Sequence, residues 1–179
     1  REVLQDDVLG ARIAVNHLIA LGHRRIAQLP GDPRISSFVG RARGFRAAIE
    51  AHAGVEDVSS GSHAMASSIG EGRRLAAEVL RLPADRRPTA IFAHNDQAAL
   101  GPLDAMATLH LTREDVSVLG YDNSTISSPP ATAPPPVDLH ARHLARAPAA
   151  LALERRGPPA PHRLIRPSPP SLLPPPPPP

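Results

Sequence analysis

Cysteine, lysine and tryptophan are absent from the chain, and one tyrosine and three phenylalanines bring the aromatic content to only 2%. Without cysteine there are no disulfides, no thiolate nucleophile and no Cys-based zinc site. Without lysine there is no G-x-x-x-x-G-K-[ST] phosphate loop. Four aromatic rings do not make the stacking platform on which single-stranded nucleic acid is held. No apolar run approaches the ~18 residues that span a bilayer, and the opening REVLQDD lacks the basic-then-apolar order of a signal peptide, so a soluble domain with no membrane partner is expected, and the lack of cysteine is compatible with the cytoplasmic location expected for it. Nor does the chain contain a G-x-S-x-G elbow or a G-x-G-x-x-G after a strand; the cluster Gly61, Gly70 and Gly72 does not fit a phosphate cradle. No enzyme activity and no cofactor are expected.

What is present is ordinary in amount and uneven in distribution. Over 179 residues, 41% hydrophobic and 21% charged content suits one globular domain or two small ones. The basic residues are all Arg, and six of them (Arg142, Arg146, Arg155, Arg156, Arg163, Arg166) lie after residue 128, opposed there only by Asp138 and Glu154. The first 128 residues hold fourteen Arg against fifteen acids, a formal charge of −1, so the body is not a polyanion binder. Proline draws the same line. Five of 23 prolines precede residue 129 and the rest crowd the last 51 positions, where SSPPATAPPPVD and PSPPSLLPPPPPP read as extended or polyproline-II segments. Between them, residues 137–156 could form a helix, broken or kinked at Pro148.

Before that line the pattern alternates. Asp6 or Asp7 can cap a helix with an apolar stripe of Leu9, Ile13, Ala14, Leu18 and Leu21, closed by Gly22 where a left-handed residue is wanted. RIAQLPG reads as a buried strand ended by a Pro-Gly turn. Phe38, Ala42, Phe45 and Ile49 mark one face of a helix to about Ala53, and GVEDVSSGSHAM is a weaker strand with a loop. A third helix carries Leu75, Ala76, Val79 and Leu80, TAIFA is a strand, DQAALGPLDAMATL a helix, and DVSVLGYD a last strand. Helices alternating with short apolar strands specify a doubly wound parallel α/β sheet. Such sheets bind ligands at the carboxyl ends of their strands. The residues there are Gly31-Asp32, His94-Asn95-Asp96 and Asp122-Asn123.

Each has a plain structural reading. Asp96 before a helical run is most simply an N-cap, Asp122-Asn123 are turn residues, and Arg41 and Arg43, just inside a helix, are solvated by default. His17 and His23 flank a helix end, and His140 and His143 sit three apart on a helical stretch, but no nearby acid or cysteine completes a zinc set. No metal is expected.

Five segments in register then resemble one family. DDVLGARIAVNHLIALGHRRIAQLPGD, RARGFRAAIEAHAG, EGRRLAAEVLRL, PTAIFAHNDQAALGPLDAM and REDVSVLGYDN together resemble the effector-binding core of LacI/GalR-type transcription regulators, over roughly residues 1–128. The resemblance implies a type I periplasmic-binding-protein-like core, here incomplete and mostly the C-terminal subdomain. On that layout residues 1–22 end the first pass through the N-terminal subdomain, 23–128 form the C-terminal effector-binding subdomain and 129–179 are a proline-rich degraded tail. It implies a small-molecule effector, sugar-like or nucleobase-like, operator DNA bound only through a helix-turn-helix missing from this chain, and a homodimer in the full-length protein. By the same resemblance Arg41, in the pattern Arg41, Gly44, Phe45, is an effector clamp, Asn95 and Asp122 are pocket residues, and Asp6 is an aspartate of the opposite wall. Asn95 is then the ligand contact and Asp96 the cap.

The chain departs from the family pattern after residue 128. PPATAPPPVD stands in place of the family's P-x-L-T-T-V-x-Q-P crossing, with Pro135 about where a polar contact belongs, which suggests a truncated or frame-shifted reading. The alternatives to a repressor's sensing domain are the solute-binding protein of a sugar transporter and a non-functional remnant.

Overall fold

The structure, a computed structural model, describes residues 6–121. The tail 129–179, its expected helix and Asp122 lie outside the described residues. Helices and strands alternate strictly: α1 (Asp7–Ala20), β1 (Arg25–Leu29), α2 (Ser36–Glu50), β2 (Glu56–Asp57), α3 (Ile69–Leu80), β3 (Ala90–Ala93), α4 (Asp96–Thr108) and β4 (Ser117–Leu119). The strands make one sheet in the order β2-β1-β3-β4, each adjacent pair parallel, with Ile26 opposite Ala90 and Ile91 opposite Val118. Among the described residues no helix is long and apolar enough to cross a membrane.

Alternation along the strands builds two cores on one sheet, because successive side chains leave a strand on opposite faces. Ile26, Ala90, Phe92 and Leu119 join the α1 and α2 residues Ala11, Val15, Leu18, Phe45 and Ala48 on one face. Ala27, Leu29, Ile91 and Ala93 join the α3 and α4 residues Leu75, Ala76, Val79, Ala98 and Met106 on the other. Every residue of β3 is buried, as befits the strand flanked on both edges and covered on both faces. This is the doubly wound α/β sheet that the alternation specified.

Of the stripe foreseen for the first helix, Leu18 is buried and Ala14 packs against the core, but the buried face is rotated away from Leu9, Ile13 and Leu21. Ala11, Val15, Leu18 and Ile19 are buried, while Leu21 is 63% exposed and Leu9 and Ile13 are only half-buried. Gly44 explains the rotation. A Cβ there would overlap the Val8 carbonyl and the Ala11 methyl, so α1 and α2 cross in near backbone contact. Close approach selects the small Ala11, not the larger Leu9 or Ile13, for the interface. α1 contributes to the same core as β1, β3 and α2. Gly22 takes φ +97 after α1, the left-handed value foreseen for it. Two smaller differences concern ends: α2 stops at Glu50, three residues early, and the weak strand after it is two exposed residues.

Candidate functional site

The carboxyl ends of β1, β3 and β4 lie along one edge of the sheet, which gathers the segments beginning Pro30-Gly31, His94-Asn95 and Gly120-Tyr121. At the end of β3 the chain turns directly into α4. Asn95 makes that turn: its backbone is extended (φ −153, ψ 168) and its side-chain Oδ1 accepts the Ala98 N–H at 2.7 Å. The cap is therefore Asn95, not Asp96, correcting the expected division between the two. An N-cap stands outside the helix with non-helical backbone, whereas Asp96 is already the first helical residue. Asp96 is 2% exposed in the first turn, where the helix dipole favours a carboxylate. The Asn95 Nδ2 also donates to Ser67 Oγ at 3.2 Å, joining α4 to the loop before α3.

Arg41 is not solvated. It is 7% exposed, while Arg43, two positions on, is an exposed residue. Its Nε donates to Asp7 Oδ1 at 2.9 Å, its Nη1 donates to the His94 carbonyl, and the guanidinium carbon lies 3.8 Å from the Tyr121 ring centre and 5.5 Å from that of Phe38. A planar guanidinium can satisfy a carboxylate, a carbonyl and an aromatic face at once, which a lysine ammonium cannot do in the same geometry. Three elements thereby hold one charge: α1 through Asp7, α2 through Arg41 itself, and the end of β3 through His94.

His94 is fully buried. Its Nδ1 accepts the Gly31 N–H at 3.3 Å and its Nε2 lies 3.0 Å from Gln28 Oε1, with Phe92 and Phe38 rings at 5.5 and 6.1 Å. Burial, with a smaller contribution from the Arg41 charge, holds its pKa down to about 3, so the ring is neutral at ordinary pH.

The other expected site residues divide. Asp6 is the N-cap of α1, its Oδ1 accepting the Leu9 N–H at 2.9 Å, one residue from the Asp7 that pairs with Arg41. Asp32 is engaged by Arg34, whose hydrogen bonds lower its pKa to about 2. The structure thus brings Asp6, Arg41 and Asn95 to the same edge by way of Asp7 and the His94 backbone, and Asp122 lies outside the described residues, next after Tyr121. Sequence reasoning offered Asp7 only as a helix cap and His94 only as a strand-end residue, and gave no role to Ser67 or Tyr121. Only the pair His94-Asn95 at a strand end and Tyr121 beside Asp122 carried any signal. An open groove on α3, lined by Gly70, Arg73, Arg74, Ala77, Glu78 and Arg81, contains none of these residues.

A doubly wound sheet with a charged, aromatic-backed edge at its strand ends is compatible with a periplasmic-binding-protein-like core, and residues 15–174 match the periplasmic binding protein-like domain family. The chain belongs to that family, in the form of the effector-binding core of LacI-type regulators. It is 36% identical over 135 residues to the HTH-type transcriptional regulator DegA of Bacillus subtilis (strain 168), a match covering 73% of this chain and 39% of that protein. It is 34% identical over 138 residues to the HTH-type transcriptional repressor PurR of Aliivibrio fischeri, covering 73% of this chain and 40% of the relative. A LacI-family transcriptional regulatory protein from Corynebacterium glutamicum superposes with a TM-score of 0.68 at 30% identity, covering 84% of this chain and 59% of that one. The chain thus spans well under half the length of these two curated relatives, which are named as regulators of transcription and not as enzymes. The family match runs past the proline boundary, to residue 174.

Proposed function

We propose that this chain senses a small effector for a LacI-type transcriptional regulator, and that the effector sits over the carboxyl ends of β1, β3 and β4. The observation that carries this reading is Arg41: a guanidinium withdrawn from solvent beside Asp7, the His94 carbonyl and the Tyr121 ring, at the sheet edge where this fold class binds ligands. Its fork suits a carboxylate or vicinal hydroxyls. Asn95, with Oδ1 committed to the cap and one Nδ2 hydrogen to Ser67, offers its second Nδ2 hydrogen to a ligand oxygen. Asp122 accepts hydroxyl protons, and so does the Asp6 oxygen outside the α1 cap, beside the Asp7 that pairs with Arg41. These donors and acceptors fit a sugar-like effector best and a nucleobase-like one next. The regulator works in the cytoplasm as a homodimer that reads operator DNA through a helix-turn-helix outside this chain. The regulators among its relatives favour this over a transporter's solute-binding protein.

Equilibrium dialysis of the chain against D-ribose, D-glucose and hypoxanthine tests the site. Saturable binding of one of them is expected, and Asp122→Ala should weaken it about 10- to 100-fold, the worth of hydrogen bonds to a charged acceptor. Absence of saturable binding to all three, or binding indifferent to Asp122→Ala, would sink the proposal.

A further inference from the structure

His94 has more to do than fill the core. A backbone N–H can only donate, so the Gly31 contact requires a bare Nδ1; a neutral ring then carries its proton on Nε2, and Gln28 must present its oxygen. The same residue's carbonyl accepts from Arg41 Nη1. One residue therefore joins β1 through Gln28, the lip after β1 through Gly31, and the guanidinium through its own backbone. Gly31 is also seated on the Phe38 ring, so this lip is located by van der Waals contact as well.

We propose that His94, as a neutral donor–acceptor bridge, is a positioning residue of the effector site: it sets the Gly31 lip and presents the carbonyl that aims Arg41. The proposal rests on the effector reading given above. The charged groups facing the ring's surroundings are Arg41 from α2 and, through it, Asp7 from α1. An imidazolium would aim a second donor at the Gly31 N–H and add a positive charge beside Arg41, so only the neutral ring can make both contacts. A mere core filler would have no such requirement. Leu would serve a filler well, whereas a bridge is replaced only by Gln, whose amide carries one oxygen acceptor and an N–H donor.

The test uses the 15N-labelled full chain and its His94→Gln and His94→Leu variants. The wild-type ring should show the nitrogen shifts of an Nε2–H tautomer. In His94→Leu the Gly31 amide should exchange about tenfold faster, the factor for one lost hydrogen bond, and the Arg41 Nε–H signal should broaden, with β1–β3 ladder amides within about twofold of wild type. His94→Gln should restore both signals. An Nδ1–H tautomer, unchanged Gly31 and Arg41 signals in His94→Leu, or no restoration by Gln overturns the proposal; if the Leu variant does not fold, the wild-type ring spectrum and the Gln variant decide. Failure of the effector reading shows separately, as no saturable uptake of D-ribose, D-glucose or hypoxanthine by the wild-type chain.

Discussion

Arg41 keeps its charge below the surface among electrostatically favourable neighbours that include a carboxylate, a carbonyl and two aromatic rings. Removing it leaves Asp7 half-buried and unpaired, so Arg41→Met should cost about 3 kcal/mol of unfolding free energy, against much less for Arg43→Met on the surface. Urea titration of the two variants checks the contrast. Asn95→Ala removes the α4 cap and should cost about 1 kcal/mol in addition to any loss of ligand affinity. Fold and ligand roles therefore cannot be separated at Asn95, as the sequence reading had separated them. Which of two adjacent polar residues caps a helix depends on where helical backbone begins, and single-residue boundaries are not legible in a periodicity. His94 makes a pH prediction. Its folded-state pKa lies below the ordinary 6.5, so the unfolded chain binds the proton more readily, and stability present above pH 6.5 is lost as pH falls toward 3. His23, also lowered by burial, acts in the same direction. His94→Gln should flatten the fall in urea midpoint between about pH 7 and about pH 5, a window above most carboxylate titrations. An unchanged slope would contradict the neutral buried ring.

Among the elements, α3 was the most readable and α1 the least. The four residues foreseen as the α3 stripe are all buried, because polar residues fill the remaining faces. Its start also follows a local rule: Ser68 Oγ accepts the Glu71 N–H at 3.2 Å, and Glu71 reaches back to the Met65 N–H at 2.9 Å. In α1 apolar residues occur on nearly every side, so no one face is marked, and contact with α2 settles it. Gly44→Ala should push the two helices apart and cost about 1–3 kcal/mol, measured as a lower urea midpoint. Because α2 carries Arg41 and α1 carries Asp7, the same substitution should disturb their ion pair. A variant as stable as wild type would show that the crossing is looser than described.

The two cores share one sheet, and that governs how the molecule should come apart. Neither face of β1 or β3 can be exposed without stripping the other, so the described body should unfold in a single transition. Tyr121 is the only tyrosine and there is no tryptophan, so intrinsic fluorescence reports the Arg41 edge, whereas far-ultraviolet circular dichroism reports the helices, α1 to α4 among them. The two urea curves should coincide. A Tyr121 transition at lower urea would mean that the edge opens independently of the α3–α4 face.

The fold class followed from order along the chain: short apolar strands alternating with helices leave few arrangements other than a parallel sheet covered on both faces. The proposed place of the site rests on the same order, since polar residues recur just after β1 and β3 and sheets of this class bind ligands at that edge. Long-range contacts did the rest. That Arg41 is buried and Arg43 is not, that Asp7 and not Asp6 holds it, and that His94 is a neutral bridge all depend on partners 34 to 66 positions away in the chain. Spacing encodes which face of an element a residue occupies. It does not encode what stands opposite that face, which is set when α1 and α2 close on Gly44 and β3 ends against β1.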